Sequence, residues 1–244
     1  MTKNFNNKEA LGSHKDLIKR KKFLNNLYID FYASLKPKGV PKGPIVEIGS
    51  GGGFVKEIIP QVITSDVVSG PGINKVFFAE KMPFKNNSVS TFVMIDVLHH
   101  IKNPRKAFAQ MQRCLKTKGK IIMIEPFNSL WGHFIYKYLH YEHFDPNSSW
   151  EVKGKGRMSD SNTAIPWIIF VRDRKIFENE FPKLKIKRVQ GHTPFRYLLS
   201  GGITKPQFVP TFTYPLIKFI EDKILSPFGN LLGMFVMIEL QKTN

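Results

Sequence analysis

A glycine-rich turn directly after a short apolar run constrains the fold of this chain more than any other feature. The segment 45–54 runs from apolar residues into Gly49, Gly51 and Gly53. Glycines between a strand and a helix let backbone N–H groups approach a ligand closely, because no side chain stands in the way. The pattern therefore predicts a ligand-binding turn, and a turn with a purely structural role is the other interpretation.

Spacing separates the two cofactor classes that use such a turn. A dinucleotide fold requires Gly-x-Gly-x-x-Gly, whose third glycine falls on Phe54 when counted from Gly49 and on Lys56 when counted from Gly51. The dinucleotide pattern thus fails in both registers. The acidic Glu47 before the turn favours instead a cofactor that carries a cationic amino acid end.

A carboxylate follows the next apolar run. Asp66 comes directly after the strand-like segment 62–65. A carboxylate at the end of a strand can accept both hydroxyls of a ribose, or it can cap a turn. Together with the glycine turn, Asp66 predicts a ribose-binding position.

Strand-like and helical segments alternate from residue 44 onward, which is typical of an α/β fold with a parallel sheet and helices on both faces. We predict helices near 53–59 and 103–116. The predicted strands are 45–48, 62–65, 75–78, 91–95 and 120–124, with a last pair at 184–189 and 234–240.

Composition shifts divide the chain further. Residues 1–43 predict an N-terminal helical lead-in that ends in a Pro- and Gly-rich turn, and 44–244 form the main domain. Within this domain, residues 126–180 are rich in aromatic side chains and predict an insertion over the carboxyl edge of the sheet.

Several short segments, taken together, resemble the class I S-adenosylmethionine-dependent methyltransferases, and within them the type 11 group. They occur in the order that is usual in that family: 47–53, 66, 79–84, 96–100, 115–120 and 125–126. The resemblance implies a doubly wound, mostly parallel, seven-stranded Rossmann-like sheet with its insertion after the fifth strand. It also implies S-adenosyl-L-methionine as the cofactor.

The same resemblance assigns roles to single positions. Glu47 and the glycines would hold the methionine part of the cofactor, Asp66 the ribose, and 79–80 the adenine edge. The family usually has Asp where this chain has Phe78, which weakens the adenine assignment. The implied cofactor-binding residues are Glu47, Gly49, Ser50, Gly51, Gly53, Asp66, Ala79, Glu80 and Asp96.

Three further segments resemble a narrower set of bacterial methyltransferase-like proteins. They are 140–146, 162–168 and 194–202. This second resemblance implies no particular acceptor.

Methyl transfer to oxygen or nitrogen is an in-line displacement, for which a protein aligns the nucleophile and takes its proton. The carboxyl ends of the strands would place His99, His100 and Glu125 near the methyl group. His100 and Glu125 are the leading candidates for the base. A histidine that merely bonds to backbone at this turn is the alternative.

A second polar cluster lies in the predicted insertion, where His140, His143 and Asp145 are candidate substrate-binding residues. Together with Glu142 they have the chemistry of a divalent metal site, but their order fits a polar substrate wall equally well. The sequence therefore predicts no metal.

The polar and aromatic insertion favours a hydroxyl acceptor on a small molecule, glycan or glycolipid. A net charge of +18 motivates a nucleic-acid methyltransferase as the alternative, but no Asp/Asn-Pro-Pro-Tyr-like motif for a flipped base is present. A non-catalytic cofactor-binding protein is the third hypothesis, and Phe78 is its only support.

Charge and hydropathy also bear on location. No signal sequence or long apolar run is present, which predicts a cytoplasmic protein. The basic run 19–22 beside Phe23, or a helix whose stripe is Leu216, Phe219, Ile220 and Ile224, predicts contact with an anionic membrane surface. A helix stripe that faces the core is the more usual meaning of that pattern. The high lysine content is also typical of proteins from AT-rich genomes, without any role in binding.

The single cysteine, Cys114, predicts a buried thiol.

Overall fold

The computed structural model describes residues 15–152 and 160–244, and its centre is a seven-stranded sheet. The strands run across it in the order β3-β2-β1-β4-β5-β7-β6, with β1 to β5 parallel and β7 antiparallel to β5 and β6. The order reverses between β1 and β4, where open α/β sheets bind their ligands. The strands are Ile45–Glu47 (β1), Ile63–Asp66 (β2), Lys75–Val76 (β3), Val89–Ile95 (β4), Leu115–Pro126 (β5), Leu184–His192 (β6) and Phe235–Lys242 (β7).

Helices flank this sheet, and π-helical turns at Ile168–Arg172 and Ile220–Ile224 extend two of them. Among the described residues, no helix combines the length and apolar character that crossing a bilayer requires. The helices are Lys22–Ser34 (α1), Pro104–Cys114 (α2), Leu130–Tyr138 (α3), Ile165–Trp167 (α4), Arg174–Glu180 (α5), Arg196–Leu199 (α6), Tyr214–Phe219 (α7) and Gly229–Leu232 (α8).

Alternation along β4 separates the two faces of the sheet. Phe92 and Met94 pack in one core cluster with Phe108 of α2, whereas Val93 packs in the other with Phe31 of α1. Successive side chains of a strand point to opposite faces, so both faces of this central strand are covered. The α/β doubly wound architecture predicted from the sequence is confirmed.

Local elements differ from the prediction near the glycine turn. The helix expected at 53–59 is a single 3₁₀ turn, Val55–Glu57. Glycines before it and Pro60 after it are the poorest helix formers, so only one turn fits between them. The helix expected at 103–116 ends at Cys114, because β5 begins at the next residue. The Cys114 thiol is buried, as predicted.

The N-terminal lead-in is an integral part of the packing where the structure describes it. Helix α1 buries Phe23, Leu27 and Phe31 in the same core as β1. Residues 1–14 lie outside the described residues, so the proposed boundary at 43 stays a prediction. The basic run beside Phe23 does not form a lipid-facing stripe, since Phe23 has no exposed surface.

The C-terminal stripe faces outward, contrary to the more usual core-facing interpretation. Leu216 is 63% exposed and Phe219 56% exposed. The helix docks instead through Tyr214 and Glu221, which are both buried. A π-helical turn after Phe219 also breaks the 3.6-residue period on which the stripe was predicted.

A buried arginine joins this C-terminal helix to α1. Arg196 is 3% exposed, forms a salt bridge with Glu221, and contacts Asp30 at 3.0 Å and Asp222 at 3.1 Å. The second oxygen of Glu221 accepts hydrogen bonds from the backbone N–H groups of Phe195 and Arg196, at 2.7 and 2.8 Å. Removing the guanidinium would leave Glu221 buried without a counter-charge.

We therefore expect Arg196→Met to lower the free energy of unfolding by about 3–5 kcal/mol, the range for breaking a buried ion pair on one side. Arg174→Met is the matched control, because its pair with Glu178 is solvent-exposed and should contribute about 0–0.5 kcal/mol. Urea unfolding of both variants measures the difference. Equal stabilities would contradict the structural role given to Arg196.

Candidate functional site

Two glycines of the turn after β1 adopt a backbone conformation that other residues rarely reach. Gly49 has φ +67° and Gly51 has φ +49°. A Cβ atom on Gly49 would lie 2.6 Å from a methyl carbon of Val97. The turn thus lies directly against the segment that follows β4, and glycine is required for that approach.

Neighbouring contacts fix the rest of the turn. A Cβ atom on Gly53 would lie 2.3 Å from the Tyr32 hydroxyl, so α1 closes over the turn at this point. Ser50 bonds to β2 twice, because its N–H donates to the Ser65 carbonyl at 2.8 Å and its hydroxyl accepts from the Ser65 N–H at 3.1 Å. Contacts within the protein therefore fix the backbone conformation of the turn without a ligand.

Glu47 presents an unpaired carboxylate oxygen at the end of β1. The residue is buried and lines the cavity, and its Oε2 has no hydrogen-bond partner among the described residues. Burial raises the pKa of Glu47 to about 7, an effect that the Ser50 hydrogen bond opposes and the charge of Asp66 reinforces. A buried, partnerless oxygen of this kind fits a cationic ligand group.

Asp66 ends β2 beside the same turn. One of its oxygens accepts a hydrogen bond from Gly51 N–H at 2.8 Å, and the other accepts from Val68 N–H at 3.2 Å. These bonds hold the carboxylate at the cavity wall. Each oxygen can accept two hydrogen bonds, so each can still accept one from a ligand. Asp66 is therefore placed to receive ligand hydroxyl groups.

The segment after β3 forms the next part of the wall. Phe78, Ala79 and Glu80 all line the cavity. Glu80 also accepts a hydrogen bond from the Asn103 N–H at 3.2 Å, which links this wall to the start of α2. The Phe78 side chain is half exposed, so the departure from the family pattern puts an aromatic ring where a carboxylate is usual.

Asp96 forms the floor of the cavity at the end of β4. Its φ of +55° is unusual for a non-glycine residue and marks a sharp turn out of the strand. Burial raises the pKa of Asp96 to about 7, although the charge of His99 opposes the shift.

His99 lies between two carboxylates. Its Nδ1 is 2.8 Å from Glu125 Oε2, and its Nε2 is 3.4 Å from Glu142 Oε2. Burial lowers the pKa of His99, but the hydrogen bonds and charges of the two glutamates outweigh it and raise the pKa to about 10. Burial would raise the pKa of Glu142, yet the hydrogen bond and charge of His99 lower it to about 2.

Glu125 holds this arrangement from beneath. It has no exposed surface and is not part of the cavity wall. Its Oε1 accepts hydrogen bonds from the N–H groups of Val97 and Leu98, at 2.9 and 2.8 Å. This geometry makes Glu125 a positioning residue for His99, and it favours His100 over Glu125 as the base candidate.

His100 lines the cavity next to His99. Its Nδ1 is 3.3 Å from the carbonyl oxygen of Asp160, which can only accept, so Nδ1 carries the proton. Burial and the charge of His99 lower the pKa of His100 to about 4. The ring is therefore neutral at physiological pH, with its lone pair on Nε2.

The predicted second cluster divides in the structure. His140 lines the cavity, whereas His143 is exposed and both His143 and Asp145 lie outside the cavity wall. Asp145 instead bonds to neighbouring backbone, since its Oδ1 accepts from Asn147 N–H at 2.9 Å. The four polar residues of 140–145 thus do not converge as a metal site. Three other groups do: one ligand atom each of His99, His100 and Glu142 lies within 4.8 Å of the other two.

Several cavity residues were not predicted from the sequence. Glu142 stood in the polar cluster but had no assigned role, although its place between two histidines was a signal. Tyr197 and Ile203 also line the cavity, but they come from a segment with no local sign of a site.

These elements enclose a cavity of about 960 Å³ at the carboxyl edge of the sheet. Its size suits a ligand of nucleoside dimensions together with a second small molecule. Its wall carries the glycine turn with Glu47 and Asp66, and also the two histidines with Glu142. The wall thus offers carboxylates that suit a cationic nucleoside and imidazoles that can align a nucleophile.

Comparison with known proteins bears on the family and the fold. A family model described as a methyltransferase domain matches residues 20–167, which is more than half of the chain. A comparison with curated proteins finds no match.

Solved structures share the fold at low sequence identity. An S-adenosylmethionine-dependent methyltransferase of Thermotoga maritima, described as a possible histamine N-methyltransferase, is 18% identical, with a TM-score of 0.51 over 93% of this chain and 99% of that one. A putative S-adenosylmethionine-dependent methyltransferase of Listeria monocytogenes is 11% identical, with a TM-score of 0.50 over 90% and 100%. Geranyl diphosphate C-methyltransferase of Streptomyces coelicolor A3(2), solved with Mg²⁺, geranyl-S-thiolodiphosphate and S-adenosyl-L-homocysteine, is 12% identical, with a TM-score of 0.50 over 90% and 77%.

At such low sequence identities, similarity to the solved structures establishes only the fold. The match to the family model establishes the family. The chain therefore belongs to the methyltransferase domain family, as a class I S-adenosylmethionine-dependent methyltransferase.

Proposed function

We propose that this methyltransferase holds its donor along the glycine turn and methylates a hydroxyl group of a small-molecule, glycan or glycolipid acceptor. When bound, S-adenosylmethionine supplies a methyl group on a positively charged sulfonium. The partnerless buried oxygen of Glu47 is the observation that carries the donor assignment, because a cationic amino group would satisfy it. Asp66 would accept the ribose hydroxyls, and Ala79 and Glu80 would face the adenine.

The acceptor end of the cavity is the cluster of His99, His100 and Glu142. We infer that the acceptor's hydroxyl lies against this cluster, which orients it toward the methyl group and activates it. Support comes from the neutral His100 ring, whose Nδ1 is engaged and whose Nε2 keeps a lone pair.

The chemical class of the acceptor follows from the mixed character of the wall. Tyr141 and Tyr197 offer aromatic faces, and Ser161 and His140 offer hydrogen-bonding groups. This mixture suits a hydroxylated molecule with an apolar part. The alternative of a nucleic-acid acceptor is supported only by the net charge of +18.

An anionic membrane surface is the partner that the exposed C-terminal stripe fits. Phe212 is 82% exposed, and Leu216 and Phe219 continue the apolar surface along α7. Exposed basic residues of two other segments lie beside it, because Lys21 Nζ donates to the Gly202 carbonyl and the Phe23 ring packs 4.8 Å from Tyr214. Apolar side chains within a basic surround are typical of helices that rest on acidic lipid. Arg20, Lys22, Lys205 and Phe208 are exposed, and we infer from these two contacts that they border the apolar residues Phe212, Leu216 and Phe219.

Donor affinity should depend on pH through Glu47. Its raised pKa of about 7 means that a proton occupies the carboxylate at low pH and must leave before a cation can pair with it. We expect donor affinity to fall about tenfold between pH 8 and pH 6, following the ionised fraction. Calorimetry across this range, with Glu47→Gln as the control, tests the effect. The ionisable groups of the donor titrate equally in both experiments, so only the Glu47 carboxylate can make the two pH profiles differ. Identical profiles of donor affinity in wild type and Glu47→Gln would contradict the assignment.

Methyl transfer should depend on His100 without a change in donor binding. We expect His100→Asn to lower the turnover rate by about 10²–10⁴, the usual contribution of a group that activates a nucleophile. Incorporation of labelled methyl groups into a panel of glycans, glycolipids and RNA identifies the acceptor and provides the rate. Glu125→Gln should weaken donor binding and stability as well, because it loosens the turn after β4. Incorporation into RNA alone, or a His100→Asn rate equal to that of the wild type, would overturn the proposal.

Membrane contact should require the C-terminal stripe. We expect the protein to sediment with vesicles of anionic lipid at low salt, and the double variant Phe212→Ser, Leu216→Ser to bind at least tenfold more weakly, since each large side chain contributes about 1.5–3 kcal/mol on burial. Val76→Ser with Ile176→Ser is the matched control, because both residues are also about half exposed but lie on β3 and α5. Equal sedimentation of the two double variants, or equal binding to neutral vesicles, would exclude this surface.

A further inference from the structure

Three potential metal ligands converge on one wall of the cavity. His99, His100 and Glu142 each offer one ligand atom, and these atoms lie within 4.8 Å of one another. All three residues line the cavity. Two imidazoles and one carboxylate form a common ligand set for borderline divalent cations such as Zn²⁺, Fe²⁺ and Co²⁺.

Each histidine is oriented by a partner on its Nδ1. In His99 this nitrogen contacts Glu125 Oε2 at 2.8 Å, and in His100 it contacts the Asp160 carbonyl at 3.3 Å. Both partners accept hydrogen bonds, so Nδ1 of each ring carries a proton. A cation would bind Nε2 of His100 directly, and at His99 it would displace the proton that Nε2 shares with Glu142. Metal-binding histidines are usually held this way, by a carboxylate or a carbonyl on the other nitrogen.

The separation of His99 Nε2 and Glu142 Oε2 is informative. At 3.4 Å it is longer than a charge-assisted hydrogen bond, which is about 2.7–2.9 Å. Two ligands bound to one tetrahedral cation at about 2.1 Å would be separated by about 3.4 Å. The spacing of this one pair is therefore compatible with a shared cation as well as with a long hydrogen bond.

Nearby charges also favour a cation at this position. Asp96, Glu125 and Glu142 surround His99, so three carboxylates influence one ring. The cavity is thus locally acidic although the chain as a whole carries a charge of +18. A divalent cation would offset this local excess of negative charge.

We propose that His99, His100 and Glu142 bind a divalent cation of the zinc type, whose remaining coordination positions open into the cavity. The consequence for catalysis rests on the proposed function: the cation would occupy the lone pair of His100 Nε2 and activate the acceptor in place of the free ring, because a coordinated acceptor hydroxyl loses its proton to water more easily. Its oxygen then forms the new C–O bond while the C–S bond of the donor breaks, and S-adenosyl-L-homocysteine leaves with the electron pair on sulfur. Glu125 acts as a positioning residue for the ligand His99.

Titration of metal-free protein with Co²⁺, in the absence of donor and acceptor, tests the site directly. We expect visible ligand-field absorption that saturates at one Co²⁺ per chain and is reversed by Zn²⁺. Glu142→Gln should weaken Co²⁺ binding at least a hundredfold, and Glu125→Gln about ten- to a hundredfold, as expected for an orienting partner. His143→Gln is the matched control, because it removes an exposed histidine one residue from Glu142 and should leave the absorption unchanged.

Thermal unfolding of each variant without metal shows whether it is folded, so a loss of binding in a folded Glu142→Gln protein supports the site. Absence of saturable absorption in the wild type, or equal absorption in wild type and Glu142→Gln, overturns it. A chain that transfers methyl groups but binds no Co²⁺ also overturns the cation site and leaves the proposed function intact.

Discussion

The fully buried carboxylate of Glu125 joins the ends of two neighbouring strands, and the candidate site depends on this connection. Glu125 lies near the end of β5 and accepts hydrogen bonds from two backbone N–H groups just beyond β4. Its other oxygen holds the His99 ring. Because the segment after β4 also carries Val97, against which Gly49 packs, the same carboxylate fixes the position of the glycine turn relative to the histidines. Replacing a buried charge that makes three such bonds leaves its partners unsatisfied, so this position tolerates little change.

Local charge and overall charge have opposite signs in this protein. The chain carries +18, yet the cavity collects Glu47, Asp66, Asp96 and Glu142. Burial raises the pKa of Glu47 and Asp96, because an ionised carboxylate without a counter-ion is costly away from water. His99 relieves that cost for Asp96, and a cationic donor would relieve it for Glu47 in the proposed binding mode. The positive charge on the outside is thus separate from the charge inside the cavity, and in the proposed function it would favour association with anionic surfaces.

The sequence predicted the sheet and the glycine turn because both depend on local patterns. Alternating apolar runs locate β1, β2 and β4 to within two residues but miss the first five residues of β5, and glycine spacing locates the turn. The histidine cluster depends on contacts between segments that are distant in sequence, and no local pattern predicts such contacts. Tyr197 lines the cavity from α6, and Glu142 of the insertion contacts His99, which follows β4. The outward-facing stripe on α7 was ambiguous for the same reason. Its periodicity is that of a core helix, and only the buried Arg196–Glu221 pair decides which side of the helix packs inward.

One loop links the proposed membrane surface to the cavity. Gly201 and Gly202 both have positive φ, and a Cβ atom on Gly201 would lie 1.9 Å from the Pro206 carbonyl oxygen. Lys21 Nζ donates to the Gly202 carbonyl at 2.6 Å, so the residue directly before α1 holds the loop from outside. Ile203 of this loop lines the cavity, and the exposed Lys205 belongs to the basic surround of the stripe. A rigid loop with one face in the cavity and the other at a lipid surface would place the cavity beside the interface, so an amphipathic acceptor could reach the histidines without leaving the membrane.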